Sequence, residues 1–118
     1  MTVVAAAVVL TMPAATASAE ALGDTATLTC YTTSTPDPEA YEPGWGEVKN
    51  ATAPLRPGPY ADCGTRETLY QGYTMTIYCH YNNRLGSTWF YVSAYPNWTR
   101  GWIFANNVTY HGLIQQCF

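Results

Sequence analysis

One segment indicates the fold of this chain better than any other: residues 73–81 read YTMTIYCHY. Its aromatic and β-branched residues suit a pleated, half-buried surface, which is typical of a β-strand. A turn-like segment, NNRLGS, follows at residues 82–87, and a second strand-like segment, TWFYVSAY, occupies residues 88–95. The sequence therefore predicts two consecutive strands joined by a turn.

The rest of the chain repeats this pattern of short strands separated by turn signals. Further strands are predicted at residues 24–31, 47–52, 68–70 and 101–105. Residues 32–46 are rich in proline and acidic side chains and are predicted to form an irregular connector. The run Arg56-Pro57-Gly58-Pro59 fits neither a helix nor a strand interior, so it marks a structured loop. The prediction is an all-β domain, a small barrel or sandwich.

The N-terminal segment has the features of an export signal. Residues 2–19 carry no charge, residues 3–10 form an apolar run, and Ala17-Ser18-Ala19 matches a signal-peptidase site. The run is shorter than the roughly 20 residues that span a bilayer. No Lys or Arg precedes it, although a signal peptide normally begins with one. We expect a signal peptide at 1–19, an N-terminal strand and connector at 20–46, and the main domain at 47–118, secreted or bound to the cell envelope without a transmembrane anchor.

Charge and composition narrow the range of partners. Five basic and eight acidic residues give a net charge of −3. This leaves no basic face large enough for nucleic acid. The chain has ten tyrosines and four tryptophans, and such a surplus suggests a contact surface, although filling of a β core explains it equally well. A monomer is expected.

The four cysteines of the chain are predicted to form two disulfides. They are Cys30, Cys63, Cys79 and Cys117, an even number in an exported chain. Three pairings are possible, and the spacing favours Cys63–Cys79 across a hairpin with Cys30–Cys117 bracketing the domain. A zinc site fails because neither a C-x-x-C nor an H-x(3–5)-H pair occurs. No metal or other cofactor is expected.

Four segments carry a resemblance to a known family: LRPGP at 55–59, LYQGYTMTIYC at 69–79, GSTWFYV at 86–92 and GWI at 101–103. In this order they resemble motifs of the bacterial Src-homology-3-like (SH3-like) domains of exported actinobacterial proteins. The resemblance covers residues 48–108. It implies a bent barrel of five or six strands in two orthogonal sheets, with a 3₁₀ turn after the GWI strand. It also implies that Cys63 and Cys79 lie on neighbouring strands.

The resemblance and the alternation of side chains together nominate binding residues. Alternation places Phe90 and Val92 on one face of their strand, and Trp89 and Tyr91 on the other. The family's valine is a core residue, so Trp89 and Tyr91 are expected on the outer surface. The first tryptophan of this strand lines the ligand groove in the wider fold, which makes Trp89 the leading ligand-binding candidate. The remaining inward-facing side chains are expected to be Leu55, Leu69, Met75, Ile77 and Ile103.

Two further aromatic residues, Tyr60 and Trp98, are candidates for adjacent walls of that ligand site. Phe104 and Asn107 stand where eukaryotic relatives have a groove proline and a groove tyrosine, which argues against docking of a proline-rich helix. Bacterial members of the family are associated instead with cell-wall peptide or glycan.

Catalysis is not expected. Bridged cysteines cannot act as nucleophiles, neither His80 nor His111 has an evident acid partner, and no spacing nominates a carboxylate pair. Three functions remain: a secreted module that binds peptidoglycan or another surface polymer through its aromatics, a disulfide-bonded inhibitor of a hydrolase with residues 97–100 as insertion loop, and a domain that binds another protein.

Overall fold

The computed structural model of the chain describes Cys30 and residues 34–118. The predicted signal peptide at residues 1–19 and the strand predicted at 24–31, apart from Cys30, lie outside the described residues. The described part of the chain contains seven strands: β1 (Gly44–Val48), β2 (Thr52–Leu55), β3 (Glu67–Tyr70), β4 (Thr74–Asn82), β5 (Thr88–Ala94), β6 (Thr99–Phe104) and β7 (Val108–His111). The only helices among the described residues are 3₁₀ turns at Pro38–Ala40 and Ala105–Asn107, the second of them directly after the GWI strand as expected.

The strands form two sheets. A five-stranded sheet has the order β6-β5-β4-β1-β7, and β2 and β3 form a separate antiparallel hairpin. The all-β prediction with two disulfides is confirmed. A closed barrel is not formed within the described part of the chain, where the hairpin meets the larger sheet through one isolated bridge between Arg56 and Trp102. Closure fails because β2 is only four residues long and the single bridge to β6 is made by Arg56, the residue that follows β2.

Two elements differ from the sequence-based boundaries. Strand β1 begins at Gly44, inside the predicted connector, because residues 44–47 pair with β4 and residues 45–48 pair with β7. Strand β7 was not predicted. Its exposed Thr109, Tyr110 and His111 show no alternation of burial, so the local pattern gives no signal.

The main core lies between the hairpin and the inner face of the larger sheet. All seven side chains expected to point inward are buried there, which confirms that part of the prediction. The core consists of Val48, Ala53, Leu55, Leu69, Met75, Ile77, Phe90, Val92, Ala94, Ile103 and Val108.

A β-bulge in β4 creates a second buried layer. Ile77 lies opposite Val92 and Cys79 lies opposite Tyr91, so two steps along β4 match one step along β5. The extra residue turns Cys79 to the face opposite Ile77. On this outer face a second cluster forms from Cys79, Trp89, Tyr91, Trp102 and Cys117, against which Tyr41, Tyr78, Tyr81 and Phe104 pack.

The C-terminal segment covers this outer face. The backbone N–H of His80 donates to Gln115 O (2.8 Å) and that of Cys117 donates to His80 O (2.8 Å), so the tail lies parallel to β4. The tail thereby pairs with the part of the β4 edge that β1 does not reach. Both faces of the large sheet are therefore buried around β5.

The favoured disulfide pairing is wrong. The bonds are Cys30–Cys63 and Cys79–Cys117, with Cα–Cα distances of 4.5 Å and 5.0 Å. Cys63 lies in the loop between β2 and β3, and the bulge turns Cys79 towards the tail. The expectation that Cys63 and Cys79 lie on neighbouring strands is also wrong, because Cys63 lies in a loop and Cys79 faces the tail.

Candidate functional site

The four predicted binding residues do not converge on one surface. Trp89, Tyr91 and Tyr60 are buried, with 4, 5 and 5% of their surface exposed, whereas Trp98 is 52% exposed. The expectation that Trp89 and Tyr91 stand on the outer surface is wrong, because the second cluster and the C-terminal tail cover that face. Tyr60 instead anchors its loop, since its hydroxyl accepts a hydrogen bond from the N–H of Arg84 (3.2 Å).

Trp89 nevertheless lines a small pocket. The pocket has a volume of about 200 Å³ and lies where β2, the following loop, β5 and β6 meet. Its walls are Pro54, Arg56, Ala61, Trp89, Phe104 and Asn107. Phe104 and Asn107 are the two positions that the sequence comparison with eukaryotic groove residues had singled out. Arg56 was missed as a binding residue, because its loop was noted only for its prolines and glycine.

Trp89, which lines this pocket, also carries an unpaired hydrogen-bond donor. Its indole Nε1 is buried, and no group among the described residues accepts its proton. The ring packs at a tilt against Phe104, with 5.5 Å between centroids. A buried donor without a partner costs about 1–3 kcal/mol. A ligand acceptor that reaches Nε1 recovers that cost.

Arg56 supplies the charge of the pocket. Its Nη1 donates to Gly64 O (2.8 Å), which orients the guanidinium. Burial lowers the pKa of Arg56, and the nearby charge of Asp62 opposes that shift. An arginine remains protonated despite such a shift, since its ordinary pKa lies above 12. Its remaining N–H groups can bind a carbonyl or carboxylate. None of the side chains that line this pocket is a nucleophile or a general base.

A larger cleft of about 660 Å³ lies at the other side of the sheet, between β7, the tail and the β4–β5 end. His80 lines it, and the His80 Nδ1–H donates to Ile114 O at 3.0 Å, which leaves Nε2 as the nitrogen free to accept. Lys49 contributes an ammonium group to the same cleft. This cleft was not predicted, because neither β7 nor the pairing of the tail with β4 was predicted.

His111 has an acid partner after all. Its Nε2 lies 3.4 Å from Glu47 Oε1, and its ring stacks on Trp45 with 4.2 Å between centroids. The antiparallel pairing of β1 with β7 puts Trp45 directly opposite His111. Because β7 was not predicted, this contact was invisible in the sequence.

Tyr91 leads to a testable prediction about alkaline stability. Burial raises the pKa of the Tyr91 phenol, and the charges of Arg100 and Arg66 oppose this less strongly. The unfolded chain, with an ordinary tyrosine pKa of about 10, therefore loses this proton at lower pH than the native protein. The protonated Tyr91 phenol therefore makes its full contribution to the stability of the folded protein below about pH 10. This contribution falls as the pH rises towards the native pKa of Tyr91.

We expect Tyr91→Phe to lose less stability than the native chain between pH 9 and 11, as measured by urea unfolding at each pH. Tyr70→Phe is the control, because Tyr70 is 49% exposed. Equal alkaline losses for Tyr91→Phe and the native protein would contradict the prediction.

No family model, curated protein or solved structure matches the chain. Within residues 34–118 and Cys30, no helix has the length and hydrophobicity needed to cross a membrane. No group of His, Cys, Asp and Glu in the same residues is placed to hold a metal ion. The fold and the pocket thus define a class: a small all-β, disulfide-bonded protein whose Trp89 pocket offers hydrogen-bond donors and apolar walls.

Proposed function

We propose that this chain is a secreted, non-catalytic binding module of the SH3-like type, and that its Trp89 pocket takes a carbonyl-bearing peptide segment of a cell-wall or other envelope polymer. The observation that carries the proposal is the buried indole N–H of Trp89, which has no acceptor among the described residues and belongs to a residue that lines a pocket.

The chemistry of the lining supports a peptide ligand. Peptide carbonyls are acceptors, and two of the three polar side chains in the pocket wall, Trp89 and Arg56, carry N–H donors, while the third, Asn107, has its amide oxygen bonded to Asn50 Nδ2. The apolar surfaces of Pro54 and Phe104 suit a small side chain beside that carbonyl. At about 200 Å³ the pocket is smaller than a typical small-molecule site, so it suits one residue of a longer chain.

Two observations support the proposal that the protein functions outside the reducing cytoplasm. Both cysteine pairs are bridged, and structural disulfides persist in oxidising compartments. The uncharged N-terminal segment with its Ala17-Ser18-Ala19 motif supports export as well.

The proposal is tested with Trp89→Phe, which keeps an aromatic ring in place and removes the donor. We expect the native chain to cosediment with purified bacterial cell walls and to bind soluble cell-wall peptides in a calorimetric titration. The variant should bind about five- to 150-fold more weakly, because one hydrogen bond to an otherwise unpaired donor is worth about 1–3 kcal/mol.

The matched control is Trp45→Phe, the same substitution at a tryptophan that is 51% exposed and lies outside the pocket. It should bind like the native chain. If Trp89→Phe and native protein bind equally, the indole does not contact the ligand and the proposal fails. Binding to a protein from the envelope, with no affinity for the isolated polymer, would favour the interaction-domain alternative.

A further inference from the structure

An aromatic strip lies at the opposite end of β5 from Trp89. Four rings follow one another, with centroids 5.6 Å apart for Tyr70–Tyr73, 5.4 Å for Tyr73–Tyr95 and 6.1 Å for Tyr95–Trp98. Each neighbouring pair meets edge to face. Tyr73 packs on the main core, while Tyr70, Tyr95 and Trp98 are 49, 45 and 52% exposed.

The backbone holds these rings in place before any ligand arrives. The N–H of Tyr73 donates to Tyr70 O (2.9 Å), and the N–H of Tyr95 donates to Thr74 O (3.0 Å). The hydroxyl of Ser93 donates to Trp98 O (2.9 Å). Aromatic side chains on a fixed backbone lose little conformational entropy when they bind.

Trp98 itself adopts an unfavourable conformation. Its φ of 57° lies in the left-handed region, which a bulky side chain rarely enters. Glycine occupies that region without steric cost. A tryptophan that is half exposed and held in a conformation suited to glycine is retained at the expense of stability, and such positions concentrate at functional sites.

We infer that the strip, defined as Tyr70, Tyr73, Tyr95 and Trp98, is a second binding surface and that its ligand is a neutral polysaccharide. The C–H groups on the face of a sugar ring carry partial positive charge and are attracted to the negative face of an aromatic ring. The sugar hydroxyls find partners in the tyrosine hydroxyls and the indole N–H. A row of rings matches the repeating units of a linear polymer.

The area and charge of the strip favour a neutral polysaccharide over a protein partner or a polyanionic polymer. Three half-exposed rings, from side chains of about 150–250 Å² each, present roughly 300 Å². A stable protein interface takes about 800 Å² from each partner. The four residues of the strip carry no formal charge, and a net charge of −3 disfavours polyanionic polymers.

The strip is separate from the Trp89 pocket. Trp89 lies near the start of β5 and Tyr95 directly follows its end, so the extended strand puts about 20 Å between them. The inference therefore does not rest on the proposed function, and variants can test the two surfaces one at a time.

The test is gel electrophoresis of the native chain through three soluble neutral polysaccharides: hydroxyethylcellulose, mannan and glycol chitin. We expect at least one of them to retard the native protein. Trp98→Ala and Tyr95→Ala should each weaken that retardation about tenfold. Trp98→Tyr, which keeps an aromatic ring, should retain most of it.

Three controls separate the strip from general effects. Tyr110→Ala removes an equally exposed aromatic residue, 52%, outside the strip and should bind like the native chain. Trp89→Phe should also leave the retardation unchanged, whatever happens to peptide binding. Trp98→Gly should no longer be retarded, yet its unfolding temperature should be no lower than that of the native chain, because glycine adopts the left-handed conformation without strain. An unchanged unfolding temperature would show that the loss of retardation is not caused by misfolding.

Any of four results would overturn the inference. They are: no retardation in any of the three polysaccharides, native-like retardation of Trp98→Ala, self-association that is lost only in strip variants, and stoichiometric inhibition of a protease or amylase that depends on Trp98. The last two outcomes would make the strip an interface between copies or an inhibitory loop.

Discussion

Replacing both Cys79 and Cys117 by alanine should cause the largest loss of stability of any change discussed for this protein. The bond closes a sequence separation of 38 residues. On the chain-entropy model a loop of that length is worth about 4 kcal/mol. The same bond also clamps the C-terminal tail over the second cluster, where Cys79 and Cys117 are 0% and 1% exposed.

The other disulfide is a matched control for the entropy term. Cys30–Cys63 spans 33 residues, so its chain-entropy contribution is also about 4 kcal/mol. Cys30 is exposed and joins a loop, so the Cys30→Ala/Cys63→Ala variant removes no comparable buried layer. Urea unfolding followed by tryptophan fluorescence should show a greater loss for the Cys79/Cys117 variant. An equal or smaller loss would mean that the tail docks without the bond.

Gly101→Ala should be the most damaging single substitution discussed here. A Cβ at Gly101 would lie 2.9 Å from Arg56 O and 2.9 Å from Leu55 Cγ. The carbonyl cannot move aside cheaply, because Trp102 N donates to Arg56 O (2.8 Å) and Arg56 N donates to Trp102 O (2.8 Å). These two bonds form the bridge between the hairpin and the large sheet.

We expect Gly101→Ala to lower the free energy of unfolding by about 3 kcal/mol, the upper range for overpacking. Gly86→Ala is the control, because a Cβ there meets nothing within 4 Å and only the left-handed φ of 87° opposes it. That strain costs about 1–2 kcal/mol. Equal losses for the two variants would show that the close approach at Gly101 contributes nothing.

The same substitution bears on the proposed site. Arg56 belongs to the bridge and also lines the Trp89 pocket. Displacing the hairpin from β6 moves Pro54 and Arg56 away from Trp89 and Phe104. In cell-wall cosedimentation, therefore, Gly101→Ala should bind more weakly than Gly86→Ala, even at temperatures where both remain folded.

The candidate sites were visible in the sequence only in part. Of the residues that line the pocket, only Trp89 was predicted to bind a ligand, whereas Phe104 and Asn107 were noted as departures from the groove pattern. Arg56 was missed because its place in the pocket depends on the bridge between Arg56 and Trp102. Within the strip only Trp98 was named as a binding residue, since the strip forms only when Tyr70 and Tyr73, more than twenty residues earlier in the chain, pack beside Tyr95.

What the sequence determined by itself is the set of properties that local chemistry controls. β-Branched and aromatic residues alternate in β4 and β5, and that alternation is enough to predict the strands and the inward positions of Met75, Ile77 and Val92. An even number of cysteines is enough to predict two disulfides.

Tertiary structure alone decided which cysteines pair and which aromatics are exposed. A single extra residue in β4 turns Cys79 to the outer face, where Cys79 and Cys117 form a buried cluster with Trp89 and Tyr91. Alternation describes two faces of a strand but not what packs on each of them. That depends on partners such as Gln115 and Cys117, which lie more than thirty residues away along the chain.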